Sequence, residues 1–365
     1  MSLRIVIPFD AVNATKSVIG RWLRRFAGFV LALAVVVSAS GAAPRDADLH
    51  SRLSDRDFWR LATDLSEPNG YFRSDTLTSN ELGFQEVIPD LLARTQPGRV
   101  YLGVGPEQNF TYIAALRPTL AIIIDVRRGN LLLHLMYKAL FELAKDRAEF
   151  VSLLFSKPQP GGLGAQSTAA DLFAAFGHSP ANGALSTRTL KAIDDQLTKT
   201  HGFSLSAEDL RGIEYVHSAF SERGFAVRPL PTYADLMTAT DAAGVGRSYL
   251  ATESGFAFLK ELESNNLVVP VVGDFGGPKT IRAAGAYLKA HGATVSAFYL
   301  SNVEQYLYQD GKWVAFCRSV ATLPLDASST FIRSSNQGGG GFGSGFGGGF
   351  VSSLGQMMVD VKSCH

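Results

Sequence analysis

Apolar residues gather in short blocks along the middle of the chain, and the spacing within the blocks changes from one to the next. Arg99–Val104, Leu120–Asp125, Phe150–Phe155, Leu267–Gly273 and Thr294–Leu300 are short, nearly continuous apolar runs. Runs of that length without a polar face predict strands buried on both sides. Between the first two, Glu107–Leu116 predicts a helix. In "NLLLHLMYKALFELA" the residues Leu132, Leu135, Met136, Ala139, Leu140 and Leu143 recur at helical spacing. "PKTIRAAGAYLKAHG" predicts a further helix, with Pro278 near its first turn and Gly292 past its end. Strands alternating with helices require crossover connections of one hand, so the expected fold class is α/β, a doubly wound, mostly parallel, Rossmann-like sheet.

The rhythm breaks at three places. From about residue 157 to 266 the pattern is helical and loop-like, which predicts a helical insertion between the third and fourth strands. Residues 43–70 are polar with an amphipathic stretch, "DRDFWRLATDL", and predict a helical lead-in to an α/β domain at 71–335. Residues 336–365 begin with a run rich in glycine and phenylalanine, read as a flexible tail because glycine costs so much backbone entropy to order.

The N-terminus changes the picture of where the protein works. Arg21, Arg24 and Arg25 precede an apolar run from Phe26 to Val37, followed by small residues to Ala43. Positive, apolar and small in that order is the pattern of a secretory signal peptide. Counted on to Ala43, the same segment has the length of a membrane anchor. Either way residues 1–42 predict an exported body, periplasmic or anchored facing the periplasm.

Composition adds limits. Hydrophobic residues make up 46% and charged ones 18%, with a net charge of +1. That suits a globular protein and gives no general field for nucleic acid. Two cysteines, Cys317 and Cys364, exclude a multi-cysteine zinc site. They read either as one bridge tying the C-terminus to the body or as a buried thiol and a free one. No histidine pair has ligand spacing, so no metal site is expected, and His134 on its apolar helix reads as a core histidine.

The segment richest in chemistry is "GVGPEQNF". Gly103 and Gly105 occupy the first two positions of a G-x-G-x-x-G fingerprint, and Gln108 stands at the third. Glycines there allow a tight turn and close backbone approach to a ligand, and the helix start offers free N–H groups. Asp125 ends the second strand, where an acid commonly accepts from two ribose hydroxyls. Glu107 at the helix start argues against a pyrophosphate and suits a ligand with an amino group, such as S-adenosylmethionine. The competing reading is an ordinary turn whose glutamate favours its own helix dipole.

"TLTSNELGFQEVIPDL", "YLGVGPEQNFTYIAAL", "IIDVRRGNLLLHLMYKALFELA", "VVPVVGDFGGPKTIRA" and "AFYLSNVEQYL" resemble a family of uncharacterised bacterial proteins. That family in turn resembles class I S-adenosylmethionine-dependent methyltransferases. The resemblance spans about residues 71–333 and implies S-adenosylmethionine as cofactor. By that likeness Gly103, Gly105 and Glu107 line the methionine side, with Gln108 and Asn109 beside them, and Asp125 holds the ribose. The segment before the first strand, with Asn80 and Glu81, would close over the cofactor; an ordinary helix cap is the other reading of it.

Two more turns follow strands. Asp274 in "GDFGGPK" reads as a general base or substrate-orienting group, or as a helix cap. Glu304 or Tyr306 in "SNVEQYLY" would act on a proton, and Asn302 would cap the short helix there. Arg127 and Arg128 read as a partner of Asp125, a contact for an acidic substrate, or a solvated pair. The expectations are thus a methyltransferase-like enzyme with Asp274 and Glu304 as catalytic candidates, or an exported, non-catalytic protein binding a small molecule or protein partner.

Overall fold

A computed structural model describes residues 49, 51–336, 350–362 and 364. The predicted export segment, residues 1–42, lies outside them. Among the described residues no helix is long and apolar enough to cross a membrane.

Helix α1 (Asp55–Leu65) coincides with the amphipathic lead-in. Ser54 caps it by accepting from the Asp57 amide, and Asp55 and Asp57 in its first turn favour the helix dipole. After α2 (Ile88–Arg94) come β1 (Val100–Val104), α3 (Gln108–Leu116), β2 (Leu120–Asp125) and α4 (Arg128–Leu143). A long helical stretch follows: α5 (Arg147–Phe155), α6 (Ala169–Gly177), α7 (Gly183–Asp195), α8 (Ala207–Arg223), α9 (Tyr233–Thr238) and α10 (Glu253–Ser264). The sheet resumes with β3 (Val268–Val272), α11 (Thr280–Ala290), β4 (Val295–Ser301), α12 (Val303–Gln309) and α13 (Trp313–Val320). It closes with β5 (Thr330–Asn336), β6 (Phe350–Gln356) and α14 (Met357–Lys362).

The strands form one six-stranded mixed sheet in the order β3-β2-β1-β4-β5-β6. All neighbouring pairs are parallel except β5 with β6. Every residue of β1, β2 and β3 is buried, which accounts for their unbroken apolar runs. Pro270 sits within β3, which lies at an edge, where a missing amide hydrogen leaves no ladder bond unmade. One helical group packs α10 against α3 and α4; another packs α11 against α1 and α13.

Two expectations fail here. Phe150–Phe155 is not a strand but the last part of α5. Asp146 caps that helix by accepting from the Glu149 amide, and Ser156 stops it in the left-handed region at φ +52°. A short apolar run buried all round reads alike for helix and strand, and here the local cap decided. The helical insertion therefore separates the second and third strands of the sheet. The C-terminal segment is likewise more than a tail. Phe350–Gln356 pairs antiparallel with β5, so the ladder satisfies its backbone groups. Cys317 and Cys364 form a disulfide that ties α13 to the C-terminus. Residues 337–349, most of the glycine run, lie outside the described residues.

Two buried carboxyls and a half-buried imidazole set a pH dependence. Burial pushes Glu263 up to about 8 despite the nearby Lys138 charge, and pushes Glu107 up to about 7. Both keep a proton in the fold at a pH where the unfolded chain has lost it. Burial alone would lower His201, but hydrogen bonds to Glu142 and Asp55 raise it overall. Its stabilisation is full below about pH 6.5 and is lost as pH rises through its raised folded value. All three act in one direction, so stability falls as pH rises from about 6.5 to 8.5. Glu263 alone contributes on the order of 2 kcal/mol to that fall, or a few degrees in Tm. Thermal melts across this range are expected to show the decline and Glu263→Gln to flatten it; a rising profile in the wild type contradicts the assignment.

Candidate functional site

A cavity of about 330 Å³ opens at the carboxyl ends of β1, β2, β3 and β4. Open α/β sheets bind ligands there, most often where the strand order reverses; in this sheet that is between β1 and β4. Its walls come from four strand ends, from residues 71–81 and from single side chains such as Arg228 of the insertion and Lys312 before α13.

The turn after β1 is built around two glycines with different tasks. Gly105 has φ +76°, where a side chain is strained, and a Cβ there would point into open space bordering the cavity. At Gly103 a Cβ would lie 1.8 Å from Asn109 Oδ1, so the first glycine makes room for that side chain. Asn109 then braces the turn: its Nδ2 donates to the Val104, Gly105 and Pro106 carbonyls at 2.9, 3.2 and 2.7 Å. Tyr101 donates its hydroxyl to Asn109 Oδ1 at 2.9 Å. From the other side His134 Nε2 donates to the Gly105 carbonyl at 2.8 Å. Burial lowers that imidazole to about 4, so it is neutral at physiological pH. His134 is a buried core residue, as expected, and also a brace for the loop.

Glu107, Gln108 and Asn109 do not border the cavity. Glu107 is fully buried and accepts from the Ser79 amide at 3.1 Å. Gln108 Oε1 takes the Ser79 hydroxyl, and its Nε2 donates to Glu81 Oε2 at 3.0 Å. These side chains turn inward because residues 78–81 lie over the start of α3 and give them buried partners. Their task is to fasten that segment, which presents Asn80 and Glu81 to the cavity. Gly103, Glu107, Gln108 and Asn109, all expected to line a cofactor, are thus set back from the cavity wall, where they hold the turn and residues 78–81 in place.

Asp125 ends β2 at the cavity wall, 8% exposed. Its Oδ1 accepts from the Arg127 amide at 2.9 Å and lies 3.4 Å from Arg127 Nε. Among the described residues its second oxygen has no protein partner. Burial raises its pKa, against the lowering effect of the Arg127 charge. Arg127 also reaches Asp75 at 3.2 Å, which ties residues 71–81 to the end of β2. Arg128 points elsewhere, to Asp209 of α8 at 2.5 and 2.9 Å.

Asp274 borders the cavity but is engaged. Its Oδ1 accepts from the Gly276 amide at 2.9 Å and its Oδ2 pairs with Lys312 Nζ at 2.6 Å. It does not cap α11. Glu67 does, accepting from the Lys279 and Thr280 amides at 2.9 and 3.1 Å. Glu304 is removed from the cavity: both its oxygens accept from Arg333 Nε at 2.9 Å, and Arg333 goes on to Asp360 at 2.6 Å. Expected as a catalytic candidate, it is instead held in an ion pair, because the parallel pairing of β4 with β5 sets Arg333 beside the start of α12. Tyr306 does border the cavity, and its hydroxyl accepts from Arg73 at 3.1 Å. Asn302 borders it too, with no side-chain cap bond to α12.

Sequence reasoning missed Glu67, Arg228 and Lys312. The first lies in the lead-in and the second in the insertion, and neither belongs to a motif. Among the described residues no cluster of three or more histidine, cysteine, aspartate or glutamate side chains is arranged to hold a metal.

With that geometry in view, the sequence matches the domain of unknown function DUF7790 over residues 76–162 and 184–357. The chain belongs to this family. The DUF7790 match takes in all six strands and the ends of β1 to β4 that border the cavity; α1 lies before it and α6 in its gap. A search of curated proteins finds no match.

Proposed function

We propose that the protein binds S-adenosylmethionine, or a close adenosyl relative, in this cavity, on a Rossmann-like, methyltransferase-like sheet. The observation that carries the reading is Asp125: a buried carboxylate at the end of β2, bordering the cavity with one oxygen unpartnered among the described residues. A ribose supplies the two adjacent hydroxyls such an oxygen pair accepts from. The strand order supports it, since the chain runs outward from β1 to β3 and then back to β4 and β5. Gly105 supports it too, because the space its Cβ would fill is free for a ligand to approach the backbone.

In this reading Gly105 and Asp125 border the nucleoside, and Asn80 and Glu81 lie across the cavity. When bound, the cofactor supplies a methyl group on a positively charged sulfur. The chain's own work is positioning: Asn109 and His134 hold the β1 turn fixed, and Arg127 keeps Asp125 oriented. Holding donor and acceptor in line supplies most of the acceleration for such a displacement. Residues 71–81, fastened through Glu107 and Gln108, exclude water from above.

A second reading, an exported protein that uses the same cavity only for binding, is favoured by the disulfide between Cys317 and Cys364. Such bonds persist in oxidising compartments. Calorimetric titration of the full chain with S-adenosylmethionine and S-adenosylhomocysteine decides whether an adenosyl ligand binds at all. Micromolar binding of both is expected. No heat and no thermal shift with either would discard the adenosyl reading.

A further inference from the structure

Among the described residues four cationic side chains border the cavity, and none of them forms an ion pair with Glu81. Arg127 is held by Asp125 and Asp75, Lys312 by Asp274, Arg73 lies over the Tyr306 ring, and Arg228 donates to the Leu230 carbonyl. Glu81 is 1% exposed and borders the same cavity. Its carboxylate accepts from the Ser301 hydroxyl and from Gln108 Nε2, both neutral donors. Hydrogen bonding from Tyr299 and Ser334 adds to these in stabilising the carboxylate, and Tyr101 and Tyr112 are further neutral neighbours. Burial raises its pKa, as expected of a carboxyl without a countercharge. A buried carboxyl that borders a cavity, with no cation paired to it among the described residues, is completed by a cationic ligand group.

The backbone beside it is unusual in the same sense. Ser301 has φ +51°, a conformation a serine rarely holds, and the pairing of β4 with β5 shifts register between Tyr299 and Ser301. From this irregular strand end Ser301 donates its hydroxyl to Glu81. Strain kept at the end of a central strand, beside a buried acid, is a mark of a working site. β2 and β4 flank β1 on opposite sides, so Asp125 and Ser301 stand two strand spacings apart, roughly 10 Å. One cavity thus has two ends.

We infer that Glu81, oriented by Ser301 and Gln108, forms a subsite for a protonated amine and that the methyl acceptor is a nitrogen. The acceptor role rests on the adenosyl reading of the Asp125 end; the amine subsite itself does not. In the reaction the ammonium group gives one proton to the Glu81 carboxylate. The freed nitrogen lone pair then forms the N–CH₃ bond as the S–CH₃ bond breaks, and sulfur keeps the bonding pair and loses its positive charge. The product leaves as a methylated ammonium, and Glu81 returns its proton to solvent.

The test uses the full chain, with benzylamine as probe and benzyl alcohol as its neutral match, each titrated with and without S-adenosylhomocysteine. Benzylamine is expected to bind at least tenfold more tightly than the alcohol. Glu81→Gln, which retains acceptor and donor atoms for Ser301 and Gln108, is expected to erase that preference while still binding S-adenosylhomocysteine. Ser301→Ala, which leaves the carboxyl in place, should weaken benzylamine several-fold and guards against a folding defect in the first variant. Equal binding of amine and alcohol, or an amine preference that survives Glu81→Gln, overturns the inference. So does loss of S-adenosylhomocysteine binding in Glu81→Gln, which would move Glu81 to the donor end. An amine preference without any S-adenosylhomocysteine binding would overturn the adenosyl reading and leave the amine subsite standing.

Discussion

Asp125→Ala is expected to abolish binding of S-adenosylhomocysteine while the protein still unfolds in one cooperative step. Hydrogen bonds to a charged acceptor contribute about 1.5–3 kcal/mol each. Losing two from ribose hydroxyls lowers affinity on the order of 100-fold or more, which calorimetry reads directly. The fold should not suffer. Asp125 is a buried carboxyl whose pKa is raised by burial, so its ionised form costs stability. Arg127 keeps its ion pair with Asp75 when Asp125 is gone. The melting temperature is therefore expected to stay level or rise slightly. That combination, binding lost and stability kept, is what separates a ligand-facing acid from a structural one. Unchanged affinity would remove Asp125 from the site, and a large fall in melting temperature would make it a structural residue instead.

The second large effect concerns stability. Lys138 is 1% exposed on α4 and pairs with Glu142 at 2.8 Å, while its ammonium also donates to the Glu263 backbone carbonyl. Burial would raise Glu142, but the His201 hydrogen bond and the Lys138 charge hold it below the ordinary carboxyl value. His201 continues the chain of contacts, 2.7 Å from Glu142 and 2.7 Å from Asp55 of the lead-in helix. Lys138→Met keeps the volume but removes the cation, leaving the Glu142 and Glu263 carboxyls facing each other in a dry interior. Breaking a buried pair from one side costs about 3–5 kcal/mol. Chemical denaturation at neutral pH is expected to show a loss of that size. The penalty should shrink in mild acid, because protonation of Glu142 removes its uncompensated charge. A loss under about 1 kcal/mol at neutral pH would mean that water enters and solvates this cluster.

Particular elements show how far the sequence speaks for itself. Leu120–Asp125 was legible to the residue as a run buried on both faces, and "DRDFWRLATDL" as an amphipathic helical lead-in. In each, the local pattern and the tertiary environment demand the same thing. Phe150–Phe155 was misread because an apolar run of that length carries no period, and the Asp146 cap outweighs its strand-like composition. The C-terminal segment was misread because composition spoke only for the glycine run. Phe350–Gln356 is a strand through pairing with β5, a contact its own residues do not announce. In the candidate site, the places of Gly105 in the turn and of Asp125 at the strand end were legible, since strand ends and turns carry a positional signature. The inward turn of Glu107 was not. It depends on residues 78–81 lying over α3, a contact set by long-range packing. Glu304 was misplaced for the same reason, as its partner Arg333 arrives from a neighbouring strand.

The sequence by itself determined the alternation of strands and helices, the central apolar runs, the glycine turn after β1 and the acid that ends β2. These follow from period, backbone freedom and burial, all of which act over a few neighbouring residues. Only the tertiary structure decided which acids border the cavity and which are consumed in ion pairs, that the insertion supplies Arg228, and that no cation among the described residues pairs with Glu81. A carboxylate's role is set by what lies within about 4 Å of it, where charges couple strongly. In this chain those neighbours are brought in from distant segments.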